Sequence, residues 1–352
     1  HKGLIMAYTD IDKPSDYFET ILFTGNGSNG HAISGLDFQP DWVWLKNRNT
    51  GNTHEAFDSV RGATKTLYPD RADAEYVNST GSLTSFNSDG FTVGGGDGAN
   101  KSGSGIASWN WKAGTSFTND ASSTGIGSID SAGSFNDTAG FSIVSYSGTG
   151  SNGTIKHGLS TAPAMIIFKE RNGTSSWITW HKDLTNNDYW LLLNTTAAQA
   201  TGYSNLQNVA PTSSVFSVGT GQGTNASSAT YIAYCFAEKQ GYSKIGSYTG
   251  NGNNDGTFCY TGMKPAFILA KDADSSDNWI IHDTTRNPSN PVGAYLRPNL
   301  SSAEGTFSHY DILSNGFKNL YAGGSLNGSG KNIIYMAFAS NPFVTSTGVP
   351  AT

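Results

Sequence analysis

The chain has 352 residues, of which 43 are glycine, 14% are charged and 12% are aromatic, and its formal net charge is -6. That length exceeds one ordinary β-sandwich, the Gly, Ser, Thr and Asn content favours turns and strands, and no window carries the 3.6-residue periodicity of a long helix. The acidic balance leaves no basic stripe for a nucleic-acid backbone, and no run of 18 apolar residues offers a membrane-spanning helix.

In chain order, residues 1–17 read as an N-terminal segment without the apolar stretch of a signal peptide; Met6 is a candidate translation start, which would make His1 to Ile5 an upstream remnant. Residues 18–114 form a first predicted β-sandwich module, marked by Phe23-Thr24-Gly25-Asn26-Gly27 and by Pro40-Asp41-Trp42-Val43-Trp44-Leu45-Lys46, a short apolar strand after a proline. Residues 115–140, rich in Ser, Gly, Thr, Asn and Asp, read as a linker or a long surface loop, which leaves the first module free to pivot. Residues 141–239 and 240–343 are the second and third predicted modules. They are joined almost directly through Glu238 to Ser243 and are expected to pack as a rigid pair. Residues 344–352 form a tail.

The modules are repeats of one another. Gly25, Gly148 and Gly250 are spaced 123 and 102 residues apart, and so are Pro40, Pro163 and Pro265, while Trp111, Phe236 and Phe338 are spaced 125 and 102 apart. A register held over several blocks identifies a true internal repeat. Runs such as Met165 to Phe168 and Tyr231 to Ala237 are apolar on both faces, which predicts central strands of a sandwich whose two sheets share one core. The predicted fold class is all-β, with three tandem β-sandwich modules.

Candidate chemistry falls in a few columns of this alignment. Asp58 and Arg61 recur as Asp283 and Arg286, with His181 and Leu184 between. An Asp and an Arg three residues apart make either a ligand-binding ion pair or a charge-assisted bond that fixes a turn. The loss of the pair in the second module favours the turn. Trp109 and Trp111 flank Asn110, so their indoles share one strand face and form either a sugar-stacking platform or a piece of core. His54, Trp177 and Trp279 share a column, as do Phe57, Trp180 and His282, and both columns are expected in the core. Gly25 to Gly30 and Gly148 to Gly153 match the dinucleotide fingerprint in letters only, because a strand rather than a helix follows, and they are expected to be turns. Asp272, Asp274 and Asp277 lack the glycine and terminal glutamate of a calcium loop and read as a turn. Cys235 and Cys259 are expected to be buried free thiols. The sequence contains no recognisable glycosidase carboxylate pair, no Gly-x-Ser-x-Gly and no His-Glu-x-x-His, so the expectation is a non-enzymatic protein without cofactor or metal.

The blocks Pro40 to Arg48, Phe57-Asp58-Ser59-Val60-Arg61-Gly62 and Ser85-Phe86-Asn87-Ser88-Asp89-Gly90-Phe91 resemble a repeat of virion structural proteins of marine tailed phages, and Tyr335 to Phe343 looks like the C-terminal end of such proteins. The resemblance is clear over the first module and weaker over the others. It implies a concanavalin A-like or jelly-roll sandwich, a place on the virion surface as a tail-fibre or related component, and assembly as a homo-oligomer, a trimer being favoured, with other virion proteins. Three functions remain open: display of loops for attachment to a host-surface glycan, a purely architectural role as capsid decoration or fibre shaft, and a secreted polysaccharide-degrading enzyme.

Overall fold

Short β-branched and aromatic runs separated by glycine-rich turns can bury apolar surface only by pairing edge to edge, and the resulting architecture is all-β. The computed structural model describes residues 7–202 and 204–350, so Met6 and the His1 to Ile5 segment lie outside the described residues. Every sheet is antiparallel among the named strands. Helix is confined to single turns such as Asp97–Asn100, Gln222–Asn225 and Gly324–Asn327.

One strand order recurs in all three repeats. In repeat 1 the sheet runs Phe18–Thr24, Gly105–Trp111, Trp42–Asn47, Glu55–Asp58. In repeat 3 it runs Ser243–Thr249, Asn332–Pro342, Met263–Asp272, Ile280–Asp283. Repeat 2 has Phe141–Ser147, Thr230–Phe236, Met165–Glu170 and Ile178–His181 in the same order, but its sheet has seven strands. Two of the added strands, Thr115–Asn119 and Ser131–Asn136, come from the segment expected to be a linker. Residues 115–140 are therefore an edge of the second repeat's sheet. Phe117 and Phe135 meet edge to face at 6.0 Å and pack onto that repeat's core, which Ile129 enters, so a few apolar side chains hold a largely polar segment.

A second sheet covers one face of each repeat, for example His31–Ser34, Gly90–Val93 and Leu83–Asn87 in repeat 1. The cluster beneath it includes Val43, Leu45, Phe57 and Phe91. Strand alternation sends Trp42 and Trp44 the other way, into a cluster shared by all three repeats. Met165 and Ile167 in repeat 2 and Phe267 and Leu269 in repeat 3 do the same, while Ile166 and Phe168, and Ile268 and Ala270, stay in their own repeats' clusters. These strands are apolar on both faces because one face serves the repeat and the other serves the assembly of repeats. The expected single core per module explains only half of the pattern.

At the centre of the shared cluster the equivalent residues Trp111, Phe236 and Phe338 touch one another, with ring centroids 6.4, 6.2 and 5.8 Å apart. They mark a pseudo-threefold axis. Each fully buried aromatic there contributes about 1.5–3 kcal/mol, and repeat 1 supplies Phe18, Trp42, Trp109 and Trp111. Repeat 1 is thus fixed to the other two and does not pivot.

Candidate functional site

The candidate residues converge where one repeat abuts the next. Between repeats 1 and 2, Asp58 Oδ2 accepts Arg61 Nε at 2.5 Å and Tyr234 Oη of repeat 2 at 2.7 Å. Arg61 also donates to the Lys65 and Ala56 carbonyls and to Glu75, and Glu75 takes Arg171 of repeat 2 at 3.0 and 3.1 Å. Burial works against the charge on Arg61, but the fields of Asp58, Tyr234 and Glu75 outweigh it and hold the guanidinium well above its ordinary pKa. Burial likewise opposes the charge on Glu75, and the bonds from Arg171 and the field of Arg61 still bring it below its usual value.

Between repeats 3 and 1 the same device recurs. Asp283 Oδ2 accepts Arg286 Nε at 2.5 Å and Trp109 Nε1 of repeat 1 at 3.0 Å; Arg286 reaches Glu304, and Glu304 holds Arg48 of repeat 1 at 2.9 and 2.7 Å. Between repeats 2 and 3 the aspartate position is His181, which donates from Nε2 to the Tyr335 carbonyl at 3.3 Å, and the arginine position is Leu184, which lies in the shared cluster.

A common frame runs beneath this variable chemistry. The backbone N–H groups of Glu75, Gln199 and Glu304 donate to the carbonyls of Arg171, Ala273 and Arg48 in the adjoining repeat at 2.7, 2.7 and 2.8 Å. Trp177 donates to the Tyr68 and Arg71 carbonyls, Trp279 to that of Leu192 and His54 to that of Arg297, each across an interface. Lys46, Lys169 and Lys271, a column the sequence reading passed over, are fully buried, with their ammonium groups on backbone carbonyls. Burial pushes all three down to about 8.

Of the two readings open for Trp109 and Trp111, a sugar platform and a piece of core, the second describes them: both are 0% exposed. They present no face to a ligand, because the strand side that carries them faces the shared core. Asp58, Arg61, Asp283 and Arg286 are buried with their charges matched inside the protein, so the turn-fixing reading of these pairs describes their contacts, with the addition that they bridge repeats. The His54 and Phe57 columns are buried as expected. In the glycine-rich loops, the amide of Asn26 bonds Asn100 Oδ1, that of Thr149 bonds Asn225 and that of Asn251 bonds Asn327, closing three equivalent turns. A Cβ at Gly25 would lie 2.3 Å from the Lys101 carbonyl, which is why glycine stands there. Asp272 accepts the amides of Asp274 and Ser275 and so holds a turn. Cys235 and Cys259 are free and buried. Among the described residues no group of three or more His, Cys, Asp or Glu is placed to hold a metal ion, and no helix is long and apolar enough to cross a membrane.

One surface feature lies outside this inward-directed chemistry. In repeat 3, Tyr295, Arg297, Phe307, His309 and Tyr321 line a cleft of about 200 Å³ together with Asn278. Phe307 stands edge to face with Tyr321 at 4.5 Å and 4.8 Å from His309, and the Arg297 guanidinium lies 4.9 Å over the Tyr295 ring. Gly305 and Gly323 keep the wall open, since a Cβ at either would lie within 2.4 Å of the Tyr295 or Tyr321 ring. Repeat 2 has Trp180 where repeat 3 has His282, and that indole packs into its own repeat's core. The sequence reading missed the cleft. Its available signal was the i, i+2 spacing of Tyr295 with Arg297 and of Phe307 with His309, which puts each pair on one side of an extended chain.

Fold and site together define an all-β protein of three repeats closed about a common aromatic axis, with its buried charges turned inward and an aromatic cleft at its surface. The chain belongs to the family described as Domain of unknown function (DUF7483), which matches residues 13–342 and so runs across all three repeats. No curated protein and no solved structure matches it.

Proposed function

We propose that the chain is a non-enzymatic structural protein of a virion surface, made of three concanavalin A-like β-sandwich modules, that displays surface loops for attachment to a host glycan. The observation that carries this reading is the shared core around Trp111, Phe236 and Phe338. Three modules locked about one axis make a rigid body, and the Asp-Arg pairs weighed as ligand sites are used to hold that body together. What is left for an external partner is the surface, where loops on a rigid scaffold suit weak contacts that gain strength from many copies. The test is binding of the labelled chain to an array of bacterial surface polysaccharides. Saturable binding without shortening of the polysaccharide supports attachment, and shortening overturns it in favour of an enzyme.

The architectural reading is favoured by a different observation. Phe258, Tyr260 and Leu313 are exposed and gather around Gly316 on the outer sheet of repeat 3. An apolar patch of this kind suits contact with another copy or another virion protein. The trimer that the resemblance implies remains the expected oligomer, and this patch is a surface that suits it. Light scattering that gives a defined oligomer, reduced to monomer by Tyr260→Ser, would support it.

A further inference from the structure

The chain has six arginines. Five of them, Arg48, Arg61, Arg71, Arg171 and Arg286, are paired with carboxylates. Arg297 has no such pair among the described residues; its Nη2 donates to Tyr295 Oη at 3.1 Å, and its Nε is buried with no hydrogen-bond partner. An unbalanced guanidinium with a desolvated, unused donor is costly unless something completes it.

The neighbouring histidine adds a second donor. His282 Nε2 and His309 Nδ1 are 3.0 Å apart, and His282 Nδ1 is buried without a partner. A bare lone pair is the cheaper orphan in that position than an N–H. That puts the shared proton on His282 Nε2, makes His309 Nδ1 the acceptor, and leaves the proton of His309 on Nε2. Burial, reinforced by Arg297, pushes His309 down to about 4, so the ring stays neutral at pH 7. The cleft thus combines a guanidinium lacking an anion, a neutral N–H donor and the ring of Phe307, which is 41% exposed.

We propose that this cleft binds one acidic sugar residue, a hexuronate unit of a polysaccharide, with the sugar ring against Phe307 and Tyr321 and its carboxylate on Arg297. The ring faces of a sugar carry C–H groups that pack on aromatic side chains, and a carboxylate is the planar partner that a guanidinium fork matches. A volume of about 200 Å³ is below the roughly 300–1,000 Å³ that encloses a drug-sized ligand, which suits a single residue of a longer chain. The proposal rests on the attachment reading for its choice of a polysaccharide.

The experiment is isothermal titration calorimetry of the full chain with galacturonate, glucuronate and mannuronate oligosaccharides and with their neutral hexose counterparts, repeated for Arg297→Gln and Phe307→Ala. At least one hexuronate is expected to bind, more weakly as salt is raised, with affinity falling about tenfold or more in each variant and for the neutral counterpart. Phe307→Ala removes an exposed side chain, so an unchanged melting temperature will show that its loss of binding is local. Binding to no hexuronate, or binding equal in wild type and both variants, overturns the proposal. If the polysaccharide array is still bound by variants with the cleft destroyed, attachment stands elsewhere on the surface and only this site falls; if nothing on the array is bound, the attachment reading falls with it.

Discussion

Where repeat 1 meets repeat 2, and where repeat 3 meets repeat 1, a buried aspartate receives a donor from the neighbour, Tyr234 Oη in one case and Trp109 Nε1 in the other. Where repeat 2 meets repeat 3, the residue in the donor column is Met336, which has nothing to donate, and the aspartate column holds His181. The difference shows how the two columns depend on each other. A buried carboxylate needs both its arginine and a donor from outside its own repeat, and without the second it is better replaced by a neutral group, with the arginine replaced by an apolar side chain such as Leu184. The backbone bonds made by Glu75, Gln199 and Glu304 are the same at all three interfaces. The geometry of assembly therefore lives in the backbone and the aromatic axis, and the ion pairs are one of two ways to fill the space between.

The sharpest way to break this comparison is to remove one charge alone. Arg61→Leu leaves Asp58 buried with only Tyr234 and its local amide, and the expected loss of unfolding free energy is about 3–5 kcal/mol, read from urea denaturation. The triple variant Asp58→His, Arg61→Leu, Tyr234→Met gives this interface the residues of its neutral counterpart and is expected to recover more than half of that loss. If the triple variant is no better than the single one, the two kinds of interface are not interchangeable.

The effect next in size concerns protons. His181 is held down to about 4, mainly by burial, although the Asp183 field and the bond to the Tyr335 carbonyl pull the other way. An unfolded histidine titrates near 6.5. Between those values the unfolded chain binds the extra proton, so stability is unaffected above pH 6.5 and is lost as pH falls toward 4. His181→Gln removes this single contribution. Compared with its own value at pH 7.5, the variant is expected to lose about 2 kcal/mol less than wild type by pH 5, measured by urea titration at each pH. Equal losses would mean that the neutral interface carries no proton linkage.

The all-β class, the three repeats and the burial of the recurring aromatic columns were legible in the sequence because they depend on local alternation and on register. The assembly was not, because a strand apolar on both faces looks the same whether its second face meets its own repeat or another one. The same ambiguity left Trp109 and Trp111 open between a sugar platform and the core: their shared face was legible, and what covers it was decided by Phe236, Phe267 and Phe338, more than a hundred residues away. Residues 115–140 were misread because composition reports average polarity and cannot see that Phe117 and Phe135 pair. The coupling of Asp58 to Tyr234 and of Asp283 to Trp109 was already in the alignment as Asp, His, Asp against Trp, Tyr, Met. It becomes readable only once each column is compared with the next repeat in the cycle.

The smallest effect is expected where the three interfaces meet. Trp111 occupies the axis position that repeats 2 and 3 fill with Phe236 and Phe338, and its Nε1 is buried with no hydrogen-bond partner. Replacing it with phenylalanine removes apolar volume and leaves a small cavity, which destabilises. The same change removes an orphaned donor whose burial costs about 1–3 kcal/mol, which stabilises. The two contributions oppose each other, so Trp111→Phe is expected to lie within about 1 kcal/mol of wild type by urea denaturation, despite altering a fully buried tryptophan at the centre of the molecule. A loss comparable to that of Arg61→Leu would mean that the axis is packed around the indole specifically. The threefold relation among the repeats would then hold for the backbone alone, and the neutral and charged interfaces would differ in their packing as well as in their charge.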